Sequence, residues 1–178
     1  MAQFDEPARN QMAALLRVMS FSRCINEDNM PSKIEDGLFL GSVGAANNKA
    51  ALKRLHVTHI LTVAHSLKPA HPDDFVYQVI AVPDREDTNL RQYFDECFDF
   101  IDEAKQSGGA ALVHCFVGRS RSVTIVVAYM MKTHGMSYSQ AMEHVRSKRP
   151  QACPNYGFIS QLRDFEKFLK GEDDKSPG

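Results

Sequence analysis

The segment from residue 110 to residue 134 constrains the fold more than any other part of the chain. It reads AALVHCFVGRSRSVTIVVAYMMKTH, an apolar run followed by a compact loop and a long stretch without glycine or proline. The apolar run Ala110–Val113 predicts a short buried strand, and the stretch near Arg121–His134 predicts a helix. A buried strand that leads through a tight loop into a helix is typical of α/β proteins.

The rest of the chain also alternates short strands with helices. Strands are predicted at 33–35 and 38–40, joined by an Asp36-Gly37 turn of type I′, and at 58–63 and 75–82. Helices are predicted at 44–56, at 89–107, from Ser137 to about Lys148 and from Asn155 to about Lys170. This alternation, in 178 residues, predicts one α/β domain around a mostly parallel sheet.

The charge balance and the apolar runs exclude several classes of protein. There are 21 basic and 22 acidic residues, so no strongly basic field draws the chain to nucleic acid. No apolar run is long enough to span a membrane, and the first residues lack the apolar core of a secretory signal. We therefore expect a cytoplasmic or nuclear chain whose four cysteines are reduced.

The loop between the predicted strand and helix carries residues suited to phosphate chemistry. Cys115 ends the strand, Gly118 allows unusual backbone angles, and Arg121 opens the helix. Backbone N–H groups of such a loop and the helix N-terminus form an anion cradle, in which Arg121 can grip two phosphate oxygens. The same positive field favours the thiolate of Cys115, which predicts a nucleophile aimed at phosphorus.

The motif HC-x5-R-S resembles the active-site loop of cysteine-dependent protein tyrosine phosphatases, and its SRS ending resembles the dual-specificity branch. HCFVGRSRSVT is similar to plant dual-specificity phosphatases that act on MAP kinases, although Val117 stands where alanine is more usual. GLFLGS (37–42), VPD…NL (82–90) and RP…PNYGFISQL (149–162) extend the resemblance over most of the chain.

The resemblance implies a single-domain protein tyrosine phosphatase-like fold with a catalytic domain at 31–170. The flanking segments are expected to be an N-terminal extension, 1–30, and a tail, 171–178, whose polar composition predicts disorder. The resemblance also implies hydrolysis of phosphotyrosine and of phosphoserine or phosphothreonine through a phosphocysteine intermediate. No cofactor is implied, and MAP kinases are the implied substrates. The phosphate would be bound by the loop residues Phe116, Val117, Gly118, Arg119, Ser120 and Arg121.

The resemblance also assigns roles to residues around the loop. It places the general acid at Asp84, with Asp87 as the alternative. His114 is expected to support the thiolate, and Asn155 to brace the loop or simply to cap the last helix. The Ser122 hydroxyl can donate to the Cys115 sulfur and stabilise it as a leaving group.

Two other readings stay open for the site. A non-protein phosphate such as a phosphoinositide is one, although the loop has none of the lysines that phosphoinositide phosphatases tend to carry there. A regulator that binds phosphoproteins with little turnover is the other.

The roles of Arg119 and of four histidines also need to be considered. Arg119 could attract a second phosphate or be a solvated charge. His56, His59, His65 and His71 lack partners at metal-ligand spacing, so no metal is expected.

The N-terminal extension contains a predicted amphipathic helix at 8–25, with three arginines and no acid. Its apolar residues include Met12, Leu16, Met19, Phe21 and Ile25, at spacings found in calmodulin targets. The helix is therefore predicted either to bind calmodulin or to dock its apolar face on the catalytic domain or on a second copy of the chain.

Overall fold

A computed structural model describes residues 6–171, so most of the predicted tail lies outside the described residues. The strands are β1 (Ser32–Glu35), β2 (Leu38–Gly41), β3 (Val57–Val63), β4 (Val76–Ile80) and β5 (Ala110–His114). The α-helices are α1 (Glu6–Glu27), α2 (Val43–Asn47), α3 (Lys49–Arg54), α4 (Phe94–Gln106), α5 (Arg121–His134), α6 (Tyr138–Lys148) and α7 (Tyr156–Leu169). None of these helices is long and apolar enough to cross a membrane.

The five strands form one sheet in the order β1-β2-β5-β3-β4. Only the β1–β2 hairpin is antiparallel, and the other three pairings are parallel. Strand β5 lies at the centre, with its Val113 opposite Leu40 on one side and Leu61 on the other. The predicted α/β fold is therefore confirmed, and the loop after β5 starts from the middle of the sheet.

Both faces of the sheet are covered, as expected for parallel strands. Alternate residues of β2 point to opposite faces, so Leu40 packs into the larger core and Phe39 into the smaller one. The larger core includes residues of α4, α5, α6 and α7, while Leu52 of α3 belongs to the smaller core. Every residue of α5 from Arg121 to Met131 is buried, so the helix that closes the loop is fixed in the core.

Three local predictions were wrong. The helix predicted at 44–56 is broken at Asn48, whose side chain accepts from the Ala51 N–H and caps α3 instead of continuing α2. The helix predicted at 89–107 begins later, at Phe94, after a 3₁₀ turn at Arg91–Tyr93. The hairpin turn is not of type I′, because Gly37 has a positive φ of 78° but Asp36 does not.

Candidate active site

The loop at 115–120 lies between the carboxyl end of β5 and the first turn of α5. This is the edge of an open parallel sheet at which ligands bind in α/β proteins. The sequence folds locally in this way because a fully buried strand precedes the loop and a helix that is buried from Arg121 to Met131 follows it. Both ends of the loop are therefore held by the core.

The loop carbonyls are all bonded to donors elsewhere in the chain or in α5. The Val43 N–H donates to Phe116 O (3.0 Å), and the Arg149 guanidinium donates to Val117 O (3.0 Å) and to Gly118 O (2.6 Å). The Cys153 N–H donates to Arg119 O (2.8 Å), and the Thr124 N–H donates to Ser120 O (2.9 Å). Because a trans peptide directs its C=O and its N–H to opposite sides, these contacts turn the N–H groups at 117–121 to the other side, away from those partners. A row of converging N–H groups is an anion-binding cradle.

Gly118 meets two requirements that a larger residue would not. Its φ is +67°, in the left-handed region that side chains rarely adopt. A Cβ at this position would also overlap the carbonyl group of Gly41 and the Arg149 guanidinium. The unusual backbone angle predicted for Gly118 is confirmed, and the close approach of β2 to the loop explains the need for it.

Cys115 lies at the floor of the loop and is only 2% exposed. Its Sγ accepts from the Gly118 N–H and from the Ser122 hydroxyl, each at 3.2 Å. The contact predicted between Ser122 and the sulfur is therefore present. Two donors aimed at one sulfur stabilise the negative charge of a thiolate.

Arg121 is buried at the start of α5, with an exposure of 8%. One end of its guanidinium donates to the carbonyl of Val82, at 3.1 Å. Its Nε is buried and has no hydrogen-bond partner within the described part of the chain. Since buried donors are nearly always paired, this N–H indicates a site for an anionic acceptor.

Asp84 reaches the loop from the segment that follows β4. Its Oδ1 accepts from the hydroxyl of Ser120 and from the side-chain amide of Asn155, both at 2.8 Å. Asp87 is instead exposed and paired with Arg85 at 2.7 Å, and this hydrogen bond lowers the pKa of Asp87. The geometry favours Asp84 over Asp87 as the proton donor. The Ser120 contact was missed by sequence reasoning, which considered only the backbone of Ser120.

Asn155 combines the two roles that the sequence left open. Its Oδ1 accepts from the Phe158 N–H and caps α7, while its Nδ2 holds Asp84. Its backbone N–H also donates to the Ser120 hydroxyl, at 3.1 Å, and so braces the loop. One residue thereby connects the last helix, the acidic side chain and the phosphate loop.

Helix α7 also positions the segment that carries Asp84. The Gln161 side chain accepts from the N–H groups of Leu90 and Arg91 at 2.9 and 3.0 Å, and donates to Thr88 O at 2.8 Å. Gly157 packs so closely that a Cβ there would overlap the backbone of Glu86. Gly157 and Gln161 of the PNYGFISQL motif therefore position the segment that carries Asp84. Nothing in the local sequence pattern indicates this role.

Gly157→Ala is expected to displace the acid segment and to lower kcat on a phosphothreonine peptide by about 10- to 100-fold. An activated aryl phosphate, whose leaving group needs no proton, should be affected much less. Ser160→Ala, at an exposed position of the same helix, is the matched control. Equal losses on both substrates in Gly157→Ala would show that the contact does not act through the acid.

His114 makes hydrogen bonds that are consistent with the supporting role that the resemblance implies. Its Nδ1 donates to the carbonyl of Cys115 at 3.1 Å, and its Nε2 accepts from the Thr62 hydroxyl at 2.8 Å. Burial lowers the pKa of His114 to about 4, so the imidazole is neutral near pH 7. A neutral ring with both nitrogens engaged orients the end of β5, next to Cys115.

Two further loop residues lie at the rim of the site, and a second cysteine lies in the core. Arg119 and Val117 are exposed, so the valine that departs from the usual alanine points away from the cradle floor. Cys97 is buried in the core, and desolvation raises the pKa of its thiol. Within residues 6–171, no group of three or more histidines, cysteines and acids could hold a metal ion.

A cavity of about 540 Å³ lies beside Arg121 and Phe116. Its size is sufficient for a side chain and part of its flanking peptide. Its other walls come from α1 and from the segment that follows β3, namely Val18, Ala64, His65, Ser66 and Leu67. The N-terminal helix therefore contributes a wall next to the phosphate loop.

Comparison with known proteins agrees with this geometry. Residues 38–168 match the family model "Dual specificity phosphatase, catalytic domain". The chain is 64% identical to dual specificity protein phosphatase 1 of Arabidopsis thaliana over 171 residues, which is 96% of this chain and 86% of that protein. It is 44% identical to MAP kinase phosphatase with leucine-rich repeats protein 1 of Dictyostelium discoideum over 140 residues, covering 79% of this chain and 16% of that protein.

A solved structure with the same fold is that of the human tyrosine phosphatase-like serine/threonine/tyrosine-interacting protein. It is 34% identical, with a TM-score of 0.77, and the match covers 80% of this chain and 99% of that one. The resemblance inferred from the loop is confirmed at the level of the whole domain. By its sequence match, its fold and the loop built around Cys115, the chain belongs to the dual specificity phosphatase family.

Proposed function

We propose that this phosphatase removes phosphate from tyrosine and threonine of a MAP kinase, with Cys115 as the nucleophile and Asp84 as the general acid. The observation that carries the chemistry is the set of carbonyl hydrogen bonds at 116–120, which turns the loop N–H groups to the opposite side of the loop, with the Gly118 N–H directed at Cys115 Sγ. Such a cradle is preorganised for the charge on a transferring phosphoryl group.

In the first step, the N–H groups of 116–121 and the Arg121 guanidinium bind the phosphate oxygens. The Cys115 thiolate attacks phosphorus in line with the leaving oxygen, and Asp84 gives that oxygen its proton. The bond from phosphorus to the side-chain oxygen breaks as the sulfur–phosphorus bond forms. The products are the dephosphorylated protein and a phosphocysteine.

In the second step, Asp84 acts as a base and takes a proton from a water molecule that attacks phosphorus. The sulfur–phosphorus bond breaks, inorganic phosphate leaves and the thiolate is restored. The Ser122 hydroxyl, 3.2 Å from Sγ, stabilises the sulfur as its negative charge returns.

One observation supports a MAP kinase as the substrate, and a second supports a protein substrate in general. The relative from Dictyostelium discoideum is named a MAP kinase phosphatase, and it is similar to this chain over 140 residues. The loop at 115–121 contains arginines but no lysine, which favours a protein over a phosphoinositide. The test is to incubate the chain with a doubly phosphorylated MAP kinase, and in parallel with phosphoinositide vesicles. Faster hydrolysis of the lipid would contradict the proposal.

A binding function without turnover is the second candidate, favoured by similarity to a human protein named phosphatase-like and interacting. Cys115, Arg121 and Asp84 are nevertheless all present in this chain, and all lie at the loop. Hydrolysis of a simple aryl phosphate decides between the two functions, because a pure binding protein would release no phosphate.

We also propose that calcium-loaded calmodulin binds the segment 8–25. In α1 the apolar side chains Met12, Leu15, Leu16 and Met19 are each more than half exposed, so they are not covered by the catalytic domain. An exposed apolar face on a helix with basic residues is the form that calmodulin recognises. A peptide of residues 8–25 should bind at micromolar concentration with calcium and not without it. Equal binding without calcium, or none, would exclude calmodulin and leave a contact between two copies of the chain.

A further inference from the structure

We propose that Asp28, the residue that follows α1, is a positioning residue for the phosphate loop and acts through Arg149. The inference rests on the proposed phosphatase function of the same loop. It concerns a part of the chain outside the family match, which begins at residue 38. It also gives a function to the end of the N-terminal helix.

Arg149 holds the back of the phosphate loop with a fully buried guanidinium. It is 1% exposed and its Nε donates to Gly118 O at 2.6 Å, while Nη2 donates to Val117 O at 3.0 Å. These two carbonyls belong to the peptides that carry the N–H groups of residues 118 and 119. Arg149 therefore sets the direction of two of the N–H groups that the cradle uses, including the one that donates to Cys115 Sγ.

Asp28 supplies the opposite charge that a buried guanidinium requires. Its two carboxylate oxygens accept from Nη2 at 2.5 Å and from Nη1 at 3.2 Å, in a two-pronged contact. Nη1 also reaches the Ser32 hydroxyl at 3.4 Å. The pair spans 121 positions of the sequence, so neither residue predicts the other from local pattern.

The backbone around Asp28 is itself fixed. The Ser42 hydroxyl donates to Asp28 O at 2.7 Å, and the Asn48 side chain donates to Asn29 O at 2.9 Å. Ser42 lies between β2 and α2, and the next residue, Val43, holds the carbonyl of Phe116. The end of α1, the start of α2 and the phosphate loop thus form one connected network.

Loss of the Asp28 charge is expected to release Arg149 from the loop. A buried guanidinium without a counter-charge is strongly unfavourable, so the side chain would turn toward solvent and leave two loop carbonyls without their donor. The peptides at 117–118 and 118–119 could then rotate. The cradle would lose phosphate affinity while the nucleophile and the acid remain in place.

The test compares Asp28→Asn with Asp28→Glu in the full chain, below the unfolding temperature of each variant. We expect Asp28→Asn to raise both KM for an aryl phosphate and the dissociation constant of inorganic phosphate about tenfold, with a smaller change in kcat. Asp28→Glu, which keeps the charge, should recover most of the affinity. Asp36→Asn, at an exposed acid in the β1–β2 turn, is the control and should match the unchanged chain.

A purely structural role would lower the unfolding temperature of Asp28→Asn but leave phosphate affinity unchanged, and that result would overturn the proposal. If Asp28→Asn does not fold, the double variant Asp28→Asn with Arg149→Met removes both charges and avoids the unpaired one. It should show the same weakened phosphate binding, and native affinity in it would equally overturn the proposal. Calorimetry with inorganic phosphate needs no turnover, so absent hydrolysis by the unchanged chain would count only against the proposed function.

Discussion

Cys115→Ser should abolish hydrolysis of aryl phosphate and of phosphopeptides, with a loss of about 10⁴-fold or more in kcat. A hydroxyl at this position cannot supply the thiolate, whose charge is stabilised by the Gly118 N–H and the Ser122 hydroxyl. The N–H cradle and Arg121 do not depend on sulfur, so inorganic phosphate should still bind. Steady-state kinetics and calorimetry on the same preparation measure the two effects.

The matched control is Cys97→Ser, which removes a core thiol of α4, outside the loop at 115–120. It should lower stability but leave the kcat of the folded protein near the unchanged value. Substantial turnover by Cys115→Ser would contradict the assignment of the nucleophile. Loss of phosphate binding in that variant would contradict the claim that the loop N–H groups and Arg121 bind phosphate without the sulfur.

Asp84→Ala should slow hydrolysis of a phosphothreonine peptide by about 10²–10⁴-fold and barely affect an activated aryl phosphate. The difference arises because an alkoxide must be protonated as it leaves, whereas a stabilised phenolate need not be. The rates for the two substrates are measured side by side for the original chain and for Asp84→Ala. Their ratios show how much proton donation contributes to the hydrolysis of each substrate.

Asp87→Ala is the control for this prediction. Its carboxylate is exposed and bound by Arg85, whereas the carboxylate of Asp84 contacts Ser120 of the loop. If Asp87→Ala shows the substrate-dependent loss and Asp84→Ala does not, the acid has been assigned to the wrong residue. Neither change should alter the binding of inorganic phosphate.

The features that sequence alone predicted are those with a local signal. The strand–loop–helix around Cys115, the capping serine and asparagine of α6 and α7, and the parallel sheet all follow from apolar periodicity and cap residues. The break at Asn48 was missed because a single capping side chain overrode a continuous helical pattern. The late start of α4 has a similar cause, since Gln161 of α7 holds the backbone of Leu90 and Arg91.

The parts of the site that sequence did not predict are contacts between distant segments. Ser120 with Asp84, Gln161 with Thr88, and Asp28 with Arg149 join residues 36, 73 and 121 positions apart. No periodicity or spacing within one sequence links such pairs, because they are created by the order of the strands. The resemblance to phosphatases marked Asp84 as important but did not indicate the groups that hold it.

The most direct test of the phosphocysteine mechanism is to trap the covalent intermediate. The chain is mixed with a rapidly hydrolysed aryl phosphate, quenched within one turnover and digested, and the peptides are analysed by mass spectrometry. The phosphocysteine mechanism predicts one phosphoryl group on the peptide that contains Cys115, absent from Cys115→Ser and from the original chain without substrate. Rapid turnover with no phosphorylated peptide, or with the phosphoryl group on another residue, would contradict it.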